Sequence, residues 1–140
     1  MRDLGKIVKV RQRQVDRAAR NLADLREREV EARNQQRELQ SMLVEYVDDF
    51  RKMTGSTISA SSVTNKLRFH AQLSSAVEVQ ANQVSGLHQQ SKRAESAFIE
   101  AWIKQKALSQ VQSKRDEIHI KAAEKRQQRR QVPAVGRGLV

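Results

Sequence analysis

The stretch Leu4–Leu25, "LGKIVKVRQRQVDRAARNLADL", opens a repeat of apolar residues that alternate at spacings of four and three. The repeat continues without a break to Met53, and twelve of its fifteen positions are apolar. These positions are Leu4, Val8, Arg11, Val15, Ala18, Leu22, Leu25, Glu29, Ala32, Gln36, Leu39, Leu43, Tyr46, Phe50 and Met53. In a coiled coil such a stripe, here called the seam, packs against a partner helix. The pattern predicts a helix over about residues 3–53.

A turn is predicted at residues 54–60, within the stretch "TGSTISASS". Gly55 can end the first helix because glycine accepts a positive φ without steric cost. Ser59 or Ser61 can then cap the start of a second helix, since a serine hydroxyl accepts a hydrogen bond from a free backbone N–H.

The second helix is predicted to run from about residue 61 to 130, with a weaker seam. Its seam positions are Val63, Lys66, His70, Leu73, Val77, Gln80, Val84, Leu87, Ser91, Ala94, Phe98, Ala101, Gln105, Leu108 and Gln112. Pro133, Gly136 and Gly138 favour an end to regular structure. Residues 132–140 are therefore predicted as a flexible tail behind a single helical domain over 1–131.

A short turn makes the two helices antiparallel neighbours, and the seam residues select their register. When Leu43 faces Leu73, the next layers match large residues with small ones and set Gln36 opposite Gln80. A slip of one heptad would instead place Leu43 on Lys66 or on Gln80. The predicted fold class is thus all-α, a long antiparallel two-helix coiled-coil hairpin.

This register leaves part of the second helix without a partner. The first helix ends near Leu4, opposite Gln112, so residues 113–130 extend beyond it. This segment, the overhang, reads "SKRDEIHIKAAEKRQQRR". A lone helix of this length is marginal in water. The overhang is thus either a fraying, solvated end or a segment that becomes ordered against a partner.

Composition and charge exclude several classes of protein. The chain has 31% charged and 38% hydrophobic residues, no cysteine and a net charge of +11, which suits long helices in a single domain of cytosolic origin. The chain has no run of about 18 apolar residues, so no membrane span is predicted. The first residues do not resemble a secretory signal. The charge lies mainly in the terminal segments 1–20 and 114–140, so both ends would form one basic tip.

The residues predict no catalytic chemistry. His70, His88 and His119 lie too far apart on a helical hairpin to converge on a metal ion. There is no Gly-rich phosphate loop, and the serines of the turn have no nearby histidine to activate a nucleophile. We expect no enzyme, no cofactor, no metal and no small-molecule substrate.

Trp102 forms the widest apolar patch of the second helix together with Phe98, Ile99 and Ile103. The favoured interpretation is packing against the first helix near Arg11, with a cation–π contact. The alternative is a surface that a partner buries next to the basic tip.

The basic ends also permit two other functions. A nucleic-acid-binding hairpin would show affinity that falls steeply with salt, although the basic residues have no interleaved aromatics for base stacking. A helix lying on a membrane surface is less favoured, because the overhang has few large apolar residues.

The chain resembles the bacterial flagellar type III export stalk proteins of the FliJ family. Features that carry the resemblance are the length, the hairpin, the Ser-rich turn and three stretches in order. The stretches are "LVEYVDDF" (43–50), "RFHAQLSSAVEVQANQV" (68–84) and "AWIKQKALSQVQSKRDE" (101–117). The equivalent stalk of a virulence-type secretion system would look similar and stays an alternative.

The resemblance implies a non-enzymatic part of the flagellar export machine, similar to the stalk of rotary ATPases. It implies a cytoplasmic protein, peripheral at the inner membrane, that also binds export chaperones. Its open tip would enter a hexameric export ATPase and promote ring assembly. The tip residues are Leu4, Val8, Arg11, Val15, Leu108, Arg115, Ile118 and Lys121.

The resemblance also implies contact with the cytoplasmic domain of a membrane export gate. The family motif Phe-x3-Leu-x2-Ala-x3-His falls on Phe69, Leu73, Ala76 and Gln80, with Gln in place of His. Leu73 and Gln80 are also seam positions, so the two roles compete for these side chains.

Overall fold

A computed structural model describes the backbone of residues 2–53 and 59–138 and the side chains of residues 3–53 and 59–131. The described chain forms two α-helices, α1 over Arg2–Met53 and α2 over Ala60–Gly138. This confirms the predicted all-α class. The predicted helix stop at Gly55 lies outside the described residues.

Ser59 caps the start of α2. Its hydroxyl oxygen accepts a hydrogen bond from the Ser62 backbone N–H at 3.3 Å, and its carbonyl accepts one from the Val63 N–H at 3.2 Å. A serine in this position satisfies N–H groups that have no partner in the first turn of a helix. The structure thus selects Ser59 from the two predicted caps.

The far end of α2 differs from its predicted end near Arg130. The helix continues through Pro133 to Gly138. The sequence argument used the low helix propensity of proline and glycine, which lowers the stability of a helix but does not fix the residue at which it ends. The flexibility predicted for residues 132–140 and the single domain over 1–131 stay predictions.

Backbone contacts divide the chain into two units, each with a piece of both helices. Unit 1 comprises Met1–Ala18 and Phe98–Val140, and unit 2 comprises Ala19–Ala97.

In unit 2 the helices are antiparallel and bury the predicted seam. The buried apolar side chains are Leu22, Ala32, Leu73, Val84 and Ala94, and the buried polar ones are Gln80 and Ser91. Every one of these residues is a predicted seam position. Because the interior of a two-helix coiled coil is a single stripe, each seam side chain adds directly to the stability of the hairpin.

Hydrogen bonds between the helices of unit 2 confirm the register. Gln80 Nε2 donates to the Gln35 Oε1 at 3.3 Å and to the Ala32 carbonyl at 3.0 Å. Gln35 adjoins the predicted opposite residue, Gln36. A slip of one heptad would set Gln80 opposite Glu29 or Leu43 instead.

Unit 1 contains the seam positions nearest the start of α1. Val15 is buried, and Val8, Arg11 and Leu108 are half-buried. A Cβ atom at Gly5 would lie 3.9 Å from Gln112 Nε2, so α1 begins opposite Gln112 as predicted.

Glu29 is a charged residue within the seam of unit 2, and its side chain is 13% exposed. Its Oε1 accepts hydrogen bonds from Arg33 Nη2 at 2.9 Å and from His88 Nδ1 at 2.7 Å. The Arg33 hydrogen bond and then the His88 hydrogen bond lower the pKa of Glu29 to about 2, against the opposing effect of burial. Glu29 therefore ties α1 to α2 as a carboxylate.

We expect Glu29→Gln to lower the free energy of unfolding by about 1 kcal/mol at pH 7. The folded pKa lies below the ordinary value of 4.5. The stabilisation by the charged form is thus fully present above about pH 4.5 and is lost as the pH falls towards 2. Urea unfolding at several pH values should show the wild type and Glu29→Gln converging in acid. Glu27→Gln, an exposed change on the same helix, is the control. A difference that persists unchanged at pH 2 would contradict the assignment.

Candidate protein-interaction surfaces

The predicted gate-binding residues of unit 2 divide between the seam and its edge. Leu73 and Gln80 are buried, and Gln80 donates its amide hydrogens to α1. Phe69 is 45% exposed and Ala76 is half-buried. Phe69 and Ala76 each lie one position before a seam residue, so they follow the same edge of α2. We call this edge the Phe69 edge.

The Phe69 ring is held in place by Tyr46 of α1. The two ring centroids lie 4.8 Å apart with an interplanar angle of 56°, a tilted aromatic contact. The Tyr46 hydroxyl donates a hydrogen bond to the Lys66 carbonyl at 2.9 Å, which fixes the tyrosine across the seam. The exposed half of Phe69 is therefore presented on a rigid support.

Beside this support lies an open groove of about 320 Å³. It is lined by Tyr46, Val47, Phe50, Arg51, Lys66, Leu67 and His70. Leu67 is 55% exposed and was not identified from the sequence, although its position next to a seam residue is a signal that could have found it. Phe69 does not line the groove, which lies on the side of the seam opposite the Phe69 edge and contains no cluster of groups suited to catalysis.

We expect Leu73→Ala and Phe69→Ala to differ in stability. Leu73→Ala should lower the free energy of unfolding by about 2–3 kcal/mol, because it empties a buried site. Phe69→Ala should lower it by about 1 kcal/mol, because half of the ring is already in water. Urea unfolding followed by circular dichroism measures both. Equal losses would make Phe69 a core residue and remove the case for a docking surface.

The predicted tip residues of unit 1 also divide into two groups. Val15 is buried, and the four residues Leu4, Val8, Arg11 and Leu108 are half-buried in the seam. Arg115, Ile118 and Lys121 lie on the overhang and are exposed. The structure brings the first group together between the helices and leaves the second group open to solvent.

Trp102 and Ile99 are each 47% exposed, and Ile103 is 55% exposed. The cation above its ring is Lys106, whose Nζ lies 5.8 Å from the ring centroid. The predicted cation–π contact of Trp102 is thus present, with a cation from the same helix, while Arg11 of α1 donates to Gln14 Oε1 at 3.2 Å. Lys106 follows Trp102 by one helical turn, a local spacing that could have identified it.

Three further exposed apolar side chains of unit 1 were not identified from the sequence. Ile7 is 44% exposed, Val10 is 50% exposed and Val111 is 45% exposed. Each of them lies next to a seam position, and the four-and-three pattern identifies only the seam positions themselves. Unit 1 thus combines apolar flanks with the overhang.

Unit 1 is strongly basic. It contains 16 Lys and Arg residues against six Asp and Glu, a net charge of +10, whereas unit 2 has 11 against ten. A charge of this size attracts acidic surfaces at long range and accelerates association with them. Within the described residues, no group of three or more His, Asp and Glu side chains could hold a metal ion. The arrangement is suited to binding a macromolecule.

No helix in the described part of the chain is both long and apolar enough to cross a membrane.

Comparison with protein families matches residues 1–131 to the family described as "Flagellar FliJ protein". Searches of curated proteins and of solved structures give no significant match. The family match covers α1 and the part of α2 up to residue 131, and it favours the flagellar over the virulence-type alternative.

Proposed function

The chain belongs to the FliJ family of flagellar export-apparatus components, and on this premise we propose that it is the coiled-coil stalk of the apparatus. In this role the basic tip, formed by unit 1, enters a hexameric flagellar export ATPase and promotes assembly and activity of the ring. The stalk is non-enzymatic and acts by binding.

The observation that carries the proposal is the concentration of charge in unit 1. Ten of the eleven net positive charges lie there, together with an exposed overhang that α1 does not cover. An acidic ring would steer such a tip towards its centre. Within the tip, Val15 is buried in the seam between the two helices. A partner would therefore contact a helical pair with a fixed register.

The Phe69 edge is the proposed contact with the cytoplasmic domain of the membrane export gate. Phe69 and Ala76 supply the contact, while Leu73 and Gln80 hold the edge in place from the seam. A rigid, half-exposed aromatic ring is typical of residues that dominate the energy of an interface. Export chaperones are further proposed partners, and the proposed location is the cytoplasm at the inner membrane.

We expect the purified chain to stimulate ATP hydrolysis and ring formation by the flagellar export ATPase of the same organism. Arg115→Glu/Lys121→Glu should reduce the association rate about tenfold, because it reverses charge on the overhang. Arg37→Glu/Arg93→Glu makes the same change in net charge on exposed residues of unit 2 and is the matched control. Absence of both complex and stimulation at physiological salt would refute the stalk function.

We expect Phe69→Ala to raise the Kd for the gate's cytoplasmic domain about tenfold, with unchanged helix content. Leu67→Ala removes an exposed apolar side chain from the opposite edge of the seam and should leave the Kd within about twofold. Calorimetric titration measures both values. Equal effects of the two variants would show that the Phe69 edge is not the contact.

A further inference from the structure

The overhang is an exposed helix with a defined starting point. All its side chains are exposed except Ala122, which is half-buried, and Ile118 has 64% of its surface in water. It starts where α1 begins, next to the approach of Gly5 to Gln112. In a lone helix of this kind the pattern of side chains around the axis decides which surfaces it can bind.

Charge is separated around the axis of the overhang. Successive residues of an α-helix are rotated by about 100°, so positions can be assigned to faces. The seven Lys and Arg residues of the overhang all fall within about half of the circumference. Its three acidic residues, Asp116, Glu117 and Glu124, fall in the other half. Lys121 lies at the boundary, where its Nζ is 3.8 Å from Glu117 Oε1.

The basic half contains the continuation of the seam. Beyond Leu108 and Gln112, the four-and-three spacing reaches Arg115, His119, Ala122, Arg126 and Arg129. These positions would face α1 if α1 were longer. The stripe that is apolar within the hairpin therefore becomes basic where α1 is no longer present.

We propose that the basic half of the overhang binds an acidic helix of a partner protein, which continues along the seam from the start of α1. The inference rests on the proposed function, in which the overhang contacts a partner protein. It adds which face of the overhang makes the contact and which side chains the partner supplies. Acidic side chains of the partner pair with Arg115, Arg126 and Arg129. Ala122 is small enough to let the partner helix approach, and Ile118 packs beside it.

The same observations disfavour other occupants. A second copy of the overhang would bring like charges together along the seam. A lipid surface would need a wider apolar face than Ile118 provides. A nucleic acid would not use the helix-packing positions of the seam, and the overhang has no Phe, Tyr or Trp side chain for base stacking.

The test uses the full chain and a fluorescent synthetic helix of about three heptads, with Glu at its seam positions and Ala elsewhere. Fluorescence anisotropy at physiological salt gives the Kd. Arg126→Gln/Arg129→Gln removes two charges from the basic half. Gln127→Glu/Gln131→Glu makes the same change in net charge on the opposite face and is the matched control. Circular dichroism establishes equal helix content.

We expect Arg126→Gln/Arg129→Gln to raise the Kd roughly fivefold or more and the control to raise it less than about twofold. No binding of the wild-type chain to the acidic helix, or equal losses in the two variants, would overturn the inference. Tighter binding to phosphatidylglycerol vesicles or to a single-stranded RNA of equal charge would also overturn it. No ATPase is present, so the result is independent of the test of the stalk function.

Discussion

The packing of two helices along one seam is the constraint on which every other feature depends. A pair of helices has no interior other than this stripe, so a small number of side chains must hold it together. The buried apolar residues of unit 2 include small ones, such as Ala32 and Ala94, which let the helices approach closely. Close approach in turn lets Gln80 reach the backbone of α1.

Polar residues in the seam trade stability for specificity of register. Gln80 and Glu29 occupy positions where leucine would bury more apolar area. Their partners on the facing helix are available only when the helices are aligned as observed: Gln35 for Gln80, and His88 for Glu29. In a shifted register Gln80 would be buried without its partners, at a cost of about 1–3 kcal/mol, whereas Glu29 would keep Arg33 of its own helix and lose His88. The polar residues thus discriminate against alternatives that an all-apolar seam would permit.

The sequence predicts the interior of this fold better than its surface. Seam positions follow from a strict period, because each must face the partner helix; Leu73, Val84 and Gln80 were identified in this way. Lys106 was not, because the seam period selects only residues that face the partner helix; its signal is the spacing of one helical turn from Trp102. For Leu73 and Gln80, the sequence could not decide between a role in the seam and a role in binding the gate, because the two predicted surfaces overlap along α2. The end of α2 was likewise not predicted: the helix continues through Pro133, because a low helix propensity does not by itself fix where a helix ends.

The contact of Tyr46 with Lys66 has a consequence for the order in which unit 2 folds. These residues are 20 positions apart in the chain, whereas Gln80 and Ala32 are 48 apart and His88 and Glu29 are 59 apart. The entropy lost on closing a loop grows with its length, so the Tyr46 contact is the least costly of the three to form first. Each closed layer shortens the loop that remains for the next. The hairpin is therefore expected to fold from the Tyr46 contact outwards. The layer at Glu29 should form late during folding and separate early during unfolding.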